Sequence, residues 1–356
     1  MDFNALRKIV SPAAIGMSWT EAQTLADPYL GEVLFPRQQK AGLELSWFKG
    51  SKGLPVSLMP SAFDAKATYR DRPGVNKLES EMPFFREGFK IKEKDRQNIL
   101  NAMDTSNPYV REIIGKIFDD ANELLEGARV VGERERMQLL FPKNGNLGIS
   151  IVANGVDYTY NYDINGSWRA SNYFALTGQG VWTDKDHSDP FADIQTGKDA
   201  ISDKGGKAAM MIMNSATFRN LRGNKAVLNK FITTSGIAVA TPGDGDITKV
   251  LRDTTELDIV IYDKKYQNEN KNTFKFCPDG YVAIVPDGTL GTTYLGTTPE
   301  EADLLSSNMA DVAIVDSGVA VTQIVEPHPV NINTIVSEII LPSYEQMDQV
   351  AVLKVY

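Results

Sequence analysis

The sequence predicts an α+β protein of two or three compact units, and three stretches carry that expectation. Residues 107–140 repeat apolar side chains at three-and-four spacing, the mark of one long amphipathic helix. Residues 147–162 alternate apolar and polar side chains around Asn154-Gly155, the mark of a tight hairpin. Residues 335–341 and 349–355 are again strand-like, so a sheet is closed by segments far apart in the chain.

Taken in order, residues 1–35 read as short helices broken by Pro12 and Pro28, with Ser18 and Thr20 as N-cap residues before Glu21. They show no core of their own and read as an arm. Leu43, Leu45 and Trp47 then alternate with polar partners as a strand. A polar connection over 49–76 follows, after which 82–92 resumes extended patterning. A connection of that length inside a compact domain is unusual, and it marks an outlying hairpin. The helix over 107–140 has Asn107 as cap, Pro108 at its first position, and Pro142 and Gly145 to stop it. Its three internal glycines, Gly115, Gly127 and Gly132, weaken it, but a spine is the simpler reading. Residues 190–325 mix short helices and strands as a compact insertion. Within it, 208–213 is a strand leading to Asn214 and Ser215, both N-cap types, before the helix 216–222. Residues 257–262 and 281–285 read as buried strands, and 246–252 as a short helix.

The 356 residues carry 37 Lys/Arg against 46 Asp/Glu, a net charge of −9. That balance argues against tight or sequence-specific DNA binding, which draws its affinity from a basic surface. The charge is uneven: the first hundred residues hold 15 basic and 12 acidic side chains, the remainder 22 and 34. Solvated surface is the plainer reading of this imbalance, and a basic front half docking on acidic neighbours is the functional one. A single cysteine, Cys277, leaves no intrachain disulfide and fits a reducing compartment. The first ten residues lack the apolar core of a signal peptide, and apolar runs fall short of the ~20 residues that span a bilayer. A soluble protein made inside the cell is expected, with no membrane partner.

No motif argues for catalysis. His328 is held between Pro327 and Pro329, a rigid place for a general base. His187 lies in a polar run from Asp184 to Asp189 that fails the calcium-loop register, with Asp189 where glycine is needed and Gln195 where glutamate is. One Cys and two distant His cannot make a tetrahedral zinc site. Gly205-Gly206-Lys207 lacks the earlier glycine and the following Ser/Thr of a phosphate loop. No catalytic residue, metal ligand or cofactor is therefore assigned.

The order of parts is arm, projecting hairpin, spine helix, sheet, insertion and returning strands. It resembles the major capsid proteins of tailed bacteriophages, and more closely the phage major capsid protein E family, typified by the lambda major head protein. The resemblance covers most of the chain. It is most specific in LPVSLMPSAFDAKATYRDRPGVNKLESEMPFFREGFKIKEKD over 54–95, and continues through the spine helix, Ser188-Asp189-Pro190 with Asp193-Ile194, and MMIMNSATFRNL over 210–221.

What the resemblance implies is the fold first seen in the phage Hong Kong 97 (HK97) capsid. Residues 1–35 would be the N-terminal arm and 36–92 the E-loop. Residues 93–187 with 326–356 would form the peripheral P-domain, and 188–325 the axial A-domain. Many copies would assemble as hexamers and pentamers of an icosahedral shell, a virion component that encloses double-stranded DNA without reading its sequence. Expected inter-subunit contacts are Lys66, Arg70, Arg72, Lys77 and Arg86 in the E-loop and Arg7, Lys8 and Trp19 in the arm. Portal protein, a separate scaffolding protein, and decoration or head-completion proteins would be partners, with assembly in the host bacterial cytoplasm. The competing readings are a nanocompartment shell or other virion structural protein, and an acidic two-domain enzyme.

Overall fold

A computed structural model describes residues 3–24, 26–48, 77–94, 97, 108–153, 155–235, 242–305, 307, 309–316, 318–328 and 330–356. Helices α1 (Phe3–Ile9), α2 (Pro12–Gln23) and α3 (Leu30–Leu34) precede strands β1 (Arg37–Gln39), β2 (Glu44–Phe48), β3 (Lys77–Glu81) and β4 (Phe84–Ile91). The long helix α4 (Pro108–Leu140) leads into the hairpin β5 (Gly148–Ala153) and β6 (Val156–Asn161), then helix α5 (Ser167–Asn172) and strand β7 (Tyr173–Ala175). Helix α6 (Pro190–Ser202), strand β8 (Ala208–Met213) and helices α7 (Ser215–Arg222), α8 (Lys225–Ser235) and α9 (Asp244–Thr255) follow. Strands β9 (Asp258–Ile261), β10 (Lys265–Gln267), β11 (Thr273–Lys275) and β12 (Tyr281–Pro286) come next. Strands β13 (Thr293–Leu295), β14 (Asp311–Val315), β15 (Val319–Pro327), β16 (Val330–Pro342) and β17 (Ala351–Lys354) end the chain. Among the described residues no helix is long and apolar enough to cross a membrane.

The chain divides into two compact units, both discontinuous. The first comprises Met1–Leu45, Glu79–Arg134 and Thr292–Ser343. Its sheet is organised by β16, which pairs antiparallel with β15 along one edge. Along the other edge β16 takes β4 over Ile332–Ile339 and then β13 over Ile340–Pro342. Strands β14 and β1 extend it outward. One face carries Val321, Val336 and Phe89 against Ile15 and Trp19 of α2 and Ala121, Leu125 and Ala128 of α4. A second cluster joins Leu6 and Val10 to Ile91, Ile117 and Ile332. The first turns of the chain thus form no core of their own but join one built by later segments. The reason is periodicity: Leu6, Val10, Ile15 and Trp19 follow helical spacing across the Pro12 break and find an apolar sheet face.

The cap of α2 differs from expectation. Ser11, not Ser18 or Thr20, is the N-cap, its Oγ accepting from Ala14 N–H at 3.4 Å. Thr20 lies inside the helix and donates back to the Gly16 carbonyl at 2.9 Å. Pro12 at the first helical position decides the start, because its missing N–H costs nothing there.

The second unit comprises Ser46–Leu78, Glu135–Gly291 and Tyr344–Tyr356. Its five-stranded sheet runs β7-β17-β12-β8-β9, with the C-terminal strand β17 paired to the buried strand β12. All six residues of β12 are buried. Helix α6 packs close to this sheet because Gly197 has no side chain: a Cβ there would lie 2.6 Å from Ile284 Cδ1. Asp189 caps α6 by accepting from Phe191 and Ala192 N–H, and Asn214 caps α7 by accepting from Thr217 N–H at 2.8 Å. Strand β9 was expected to be buried. It is instead the sheet edge, with Ile261 43% exposed.

These units cut the chain differently from the ranges expected at sequence level. Residues 292–325, expected with the insertion, supply β13, β14 and most of β15 to the first unit's sheet. They do so because β13 and β15 hydrogen-bond to β16 and β14 to β15.

Candidate assembly surfaces

The arm is held to the long helix by a network built on Arg129, whose side chain is only 6% exposed. Its Nε and Nη2 donate to the two carboxylate oxygens of Glu32 at 3.1 and 2.7 Å, a bidentate pair. Its Nη1 donates to Gln23, and the guanidinium lies over the Tyr29 ring, 5.0 Å from the centroid. Tyr29 donates its hydroxyl to Glu126 at 2.5 Å. Burial first, then that carboxylate, pushes its pKa well up. Gly31 N–H donates to Glu133 at 3.0 Å, and Arg37 donates to Glu32 at 3.2 Å. Helices α2 and α3 are thereby fixed by charges spaced about a hundred residues away. No periodicity signals such a pair, so sequence reading missed it.

The expected contact residues fall into three groups. Lys66, Arg70 and Arg72 lie outside the described residues, as does the connection 49–76 that carries them. Lys77 opens β3, which pairs only with β2 in a two-stranded ladder among the described residues. Arg86, Arg7 and Trp19 are engaged within the chain. Arg86 pairs with the buried carboxylate of Glu300 at 2.5 Å, which also accepts from Ser337 Oγ at 2.9 Å. Arg7 donates two hydrogen bonds to Asp311. Trp19 is 3% exposed and donates its Nε1–H to Asp316 at 2.8 Å. Lys8 is exposed and has no ion-pair partner among the described residues.

Two further features belong to the second unit. A groove of about 1120 Å³ runs beside the β5–β6 hairpin, lined in part by Lys143, Asn146, Asn161, Ile164 and Arg169. Its polar groups are largely spent on folding: Arg169 donates to Asn146 at 3.2 Å, and Asp163 accepts from the N–H groups of Trp168 and Arg169. The hairpin itself stands as a two-stranded sheet.

Titratable groups elsewhere are tuned by structural surroundings. Burial, with Asp263 and Asp279 nearby, pushes the Cys277 thiol well up, which keeps it an unreactive thiol. His187 closes a loop turn on Asp184, its Nδ1 2.9 Å from the carboxylate, and that hydrogen bond lowers the Asp184 pKa. Among the described residues no group of three His, Cys, Asp or Glu is placed to hold a metal.

The fold has counterparts in solved structures. A phage-related protein from Bordetella bronchiseptica RB50 is 16% identical, with 95% of this chain and 96% of that one aligned and a TM-score of 0.55. A prophage protein from Escherichia coli CFT073, assigned as a capsid protein, is 13% identical over 97% and 99% of the two chains, with a TM-score of 0.56. The capsid asymmetric unit of cyanophage A-1(L) gives 13% identity, 92% of each chain and a TM-score of 0.50. At these identities the likeness speaks to fold, and the fold is that of HK97-like phage capsids. No protein with a curated function is similar enough in sequence to match. The family model of phage major capsid protein E matches residues 13–355, nearly the whole chain, and the protein belongs to that family. It is a structural subunit of a phage capsid shell, not an enzyme, and its place is the virion.

Proposed function

We propose that this chain forms the icosahedral head of a tailed phage as hexamers and pentamers, enclosing double-stranded DNA and assembling in the host bacterial cytoplasm. Residues 1–35 act as the arm, 36–92 as the E-loop, 93–187 with 326–356 as the peripheral domain and 188–325 as the axial domain, with 292–325 returning from the axial range to pair into the sheet built on β16. The observation that carries this reading is the family match over 13–355, which starts within the arm and runs through the later segments. A net charge of −9 is consistent with a container that lets its DNA slide. Portal protein, a separate scaffolding protein and decoration or head-completion proteins are its partners in this reading.

Lys66, Arg70, Arg72 and Lys77 contact the neighbouring subunit through the E-loop, and Lys8 does so from the arm. Arg7, Trp19 and Arg86 support these contacts by fixing the segments that carry them, since each already has a partner inside its own chain. Reversing Lys66, Arg70, Arg72 and Lys77 to Glu together tests the assignment. Sedimentation should show loss of shells, with circular dichroism of the subunit unchanged. Shells of normal yield from that variant would overturn it.

A further inference from the structure

The β5–β6 hairpin has two outer edges that differ sharply. On β5 the edge is blocked: the Gln138 side-chain amide accepts from Ser150 N–H at 2.7 Å and donates to the Ser150 carbonyl at 3.2 Å. One side chain thus imitates a neighbouring strand. Opposed residues in an antiparallel ladder alternate between exchanging both backbone bonds and exchanging none. Ser150 spends both of its groups on Gln138, so its partner Thr159 must also turn outward, and by alternation so must Asp157 and Asn161. These three residues are exposed, and among the described residues no backbone group meets theirs on that side. An open edge with no lysine, proline or bulge is a template for another strand. The edges at β10, β11 and β9 are better guarded: β10 and β11 are three residues each, with a lysine at one end of both, and Asp258 on β9 is held by Arg252.

We propose that the β6 edge pairs antiparallel with the β6 edge of a second copy about a two-fold axis centred on Thr159. This deepens the shell reading and rests on it. The register follows from the sequence. Thr159 faces Thr159 of the second copy, Asp157 faces Asn161, and Tyr158 faces Tyr160, so each outward pair exchanges backbone bonds. The side chains agree. Asp157 is the only charge on the strand, and this register sets it opposite an amide. Asn161 Oδ1 already accepts from Asp163 N–H, while its Nδ2 has no partner among the described residues and is free to donate to that carboxylate. Centring on Asp157 instead would oppose two carboxylates, a destabilising pairing. An isologous contact of this kind closes on itself, as a shell two-fold requires.

Cysteine trapping in assembled shells reads the register directly. Outward pairs lie about 5.5 Å apart between Cα atoms, within disulfide reach, and the native Cys277 is fully buried and does not compete. Thr159→Cys shells, mildly oxidised and run on a non-reducing denaturing gel, should give a dimer band, and Ser150→Cys shells on the blocked edge should not. Chains carrying Asp157→Cys and Asn161→Cys should cross-link when co-assembled and not when assembled separately; this mixture decides the matter if Thr159→Cys does not assemble. Normal shells with no dimer from Thr159→Cys, or equal dimer from Ser150→Cys, would overturn the pairing while leaving the shell reading intact. A wild-type protein that never forms shells would remove that reading first.

Discussion

The arm of the first unit and the sheet of the second are held in place by different means. Among the described residues the second unit packs its five-stranded sheet into a large apolar cluster, from Trp182 and Ile194 through Met211, Leu251 and Ile284 to Leu353 and Val355, and buries the charged Glu135 and Arg136 where the long helix enters it. Among the described residues the first unit has two smaller clusters around the arm and also buries Arg129, Glu133, Thr322, Gln323 and Thr334. An apolar core tolerates changes that keep volume and shape. A core threaded with charges fails when one partner is lost, because the other is left buried without compensation. The first unit holds the arm, so the placement of the arm depends on individual polar pairs, whereas the sheet of the second unit depends on summed burial.

That contrast gives the largest expected effects. Arg129→Met should destabilise the first unit by about 3–5 kcal/mol, measured by urea unfolding, and Arg129→Met with Glu32→Met should recover most of the loss. A double variant no better than the single one would assign the cost to packing. In the second unit Ile284→Ala should cost about 2–5 kcal/mol. Gly197→Ala should cost about 1–3 kcal/mol by crowding Ile284, and less in an Ile284→Val background. Additive costs would break the close-approach explanation.

Smaller effects sharpen the same comparison. Trp19→Phe removes one buried hydrogen bond to Asp316 and should cost about 1–2 kcal/mol. Asp279 has its pKa lowered first by the Lys275 hydrogen bond and also by Asn214. A depressed carboxylate adds stability that is present above its unfolded value and is lost as the pH falls through its folded one. Wild type should therefore lose stability relative to Asp279→Asn below about pH 3.8, seen as converging urea midpoints. Arg7→Ala breaks only an exposed pair with Asp311; it should cost less than about 1 kcal/mol, and 1 M salt should erase the difference.

What the sequence made legible follows the range of the forces involved. The long helix, the β5–β6 hairpin and the cap of α7, one of the two adjacent candidates, are set by neighbours within a few residues and lie where local pattern places them. The membership of 292–325 in the first unit's sheet depends on strand pairing, which periodicity does not encode. β9 reads as buried because its residues are apolar, yet its position at the edge depends on which strands flank it. Of the candidate contact residues, basic character was legible, but the partners of Arg7, Trp19 and Arg86 were not. Those partners sit some two to three hundred residues away. The blocked and open edges of the β5–β6 hairpin were likewise invisible, since both depend on register.

Negative-stain electron microscopy of the purified chain, alone and co-expressed with a candidate scaffolding protein, tests the capsid assignment most directly. Closed polyhedral shells, or curved sheets with hexagonal order, are the predicted result. A small monomer that stays monomeric at every concentration under both conditions would contradict it.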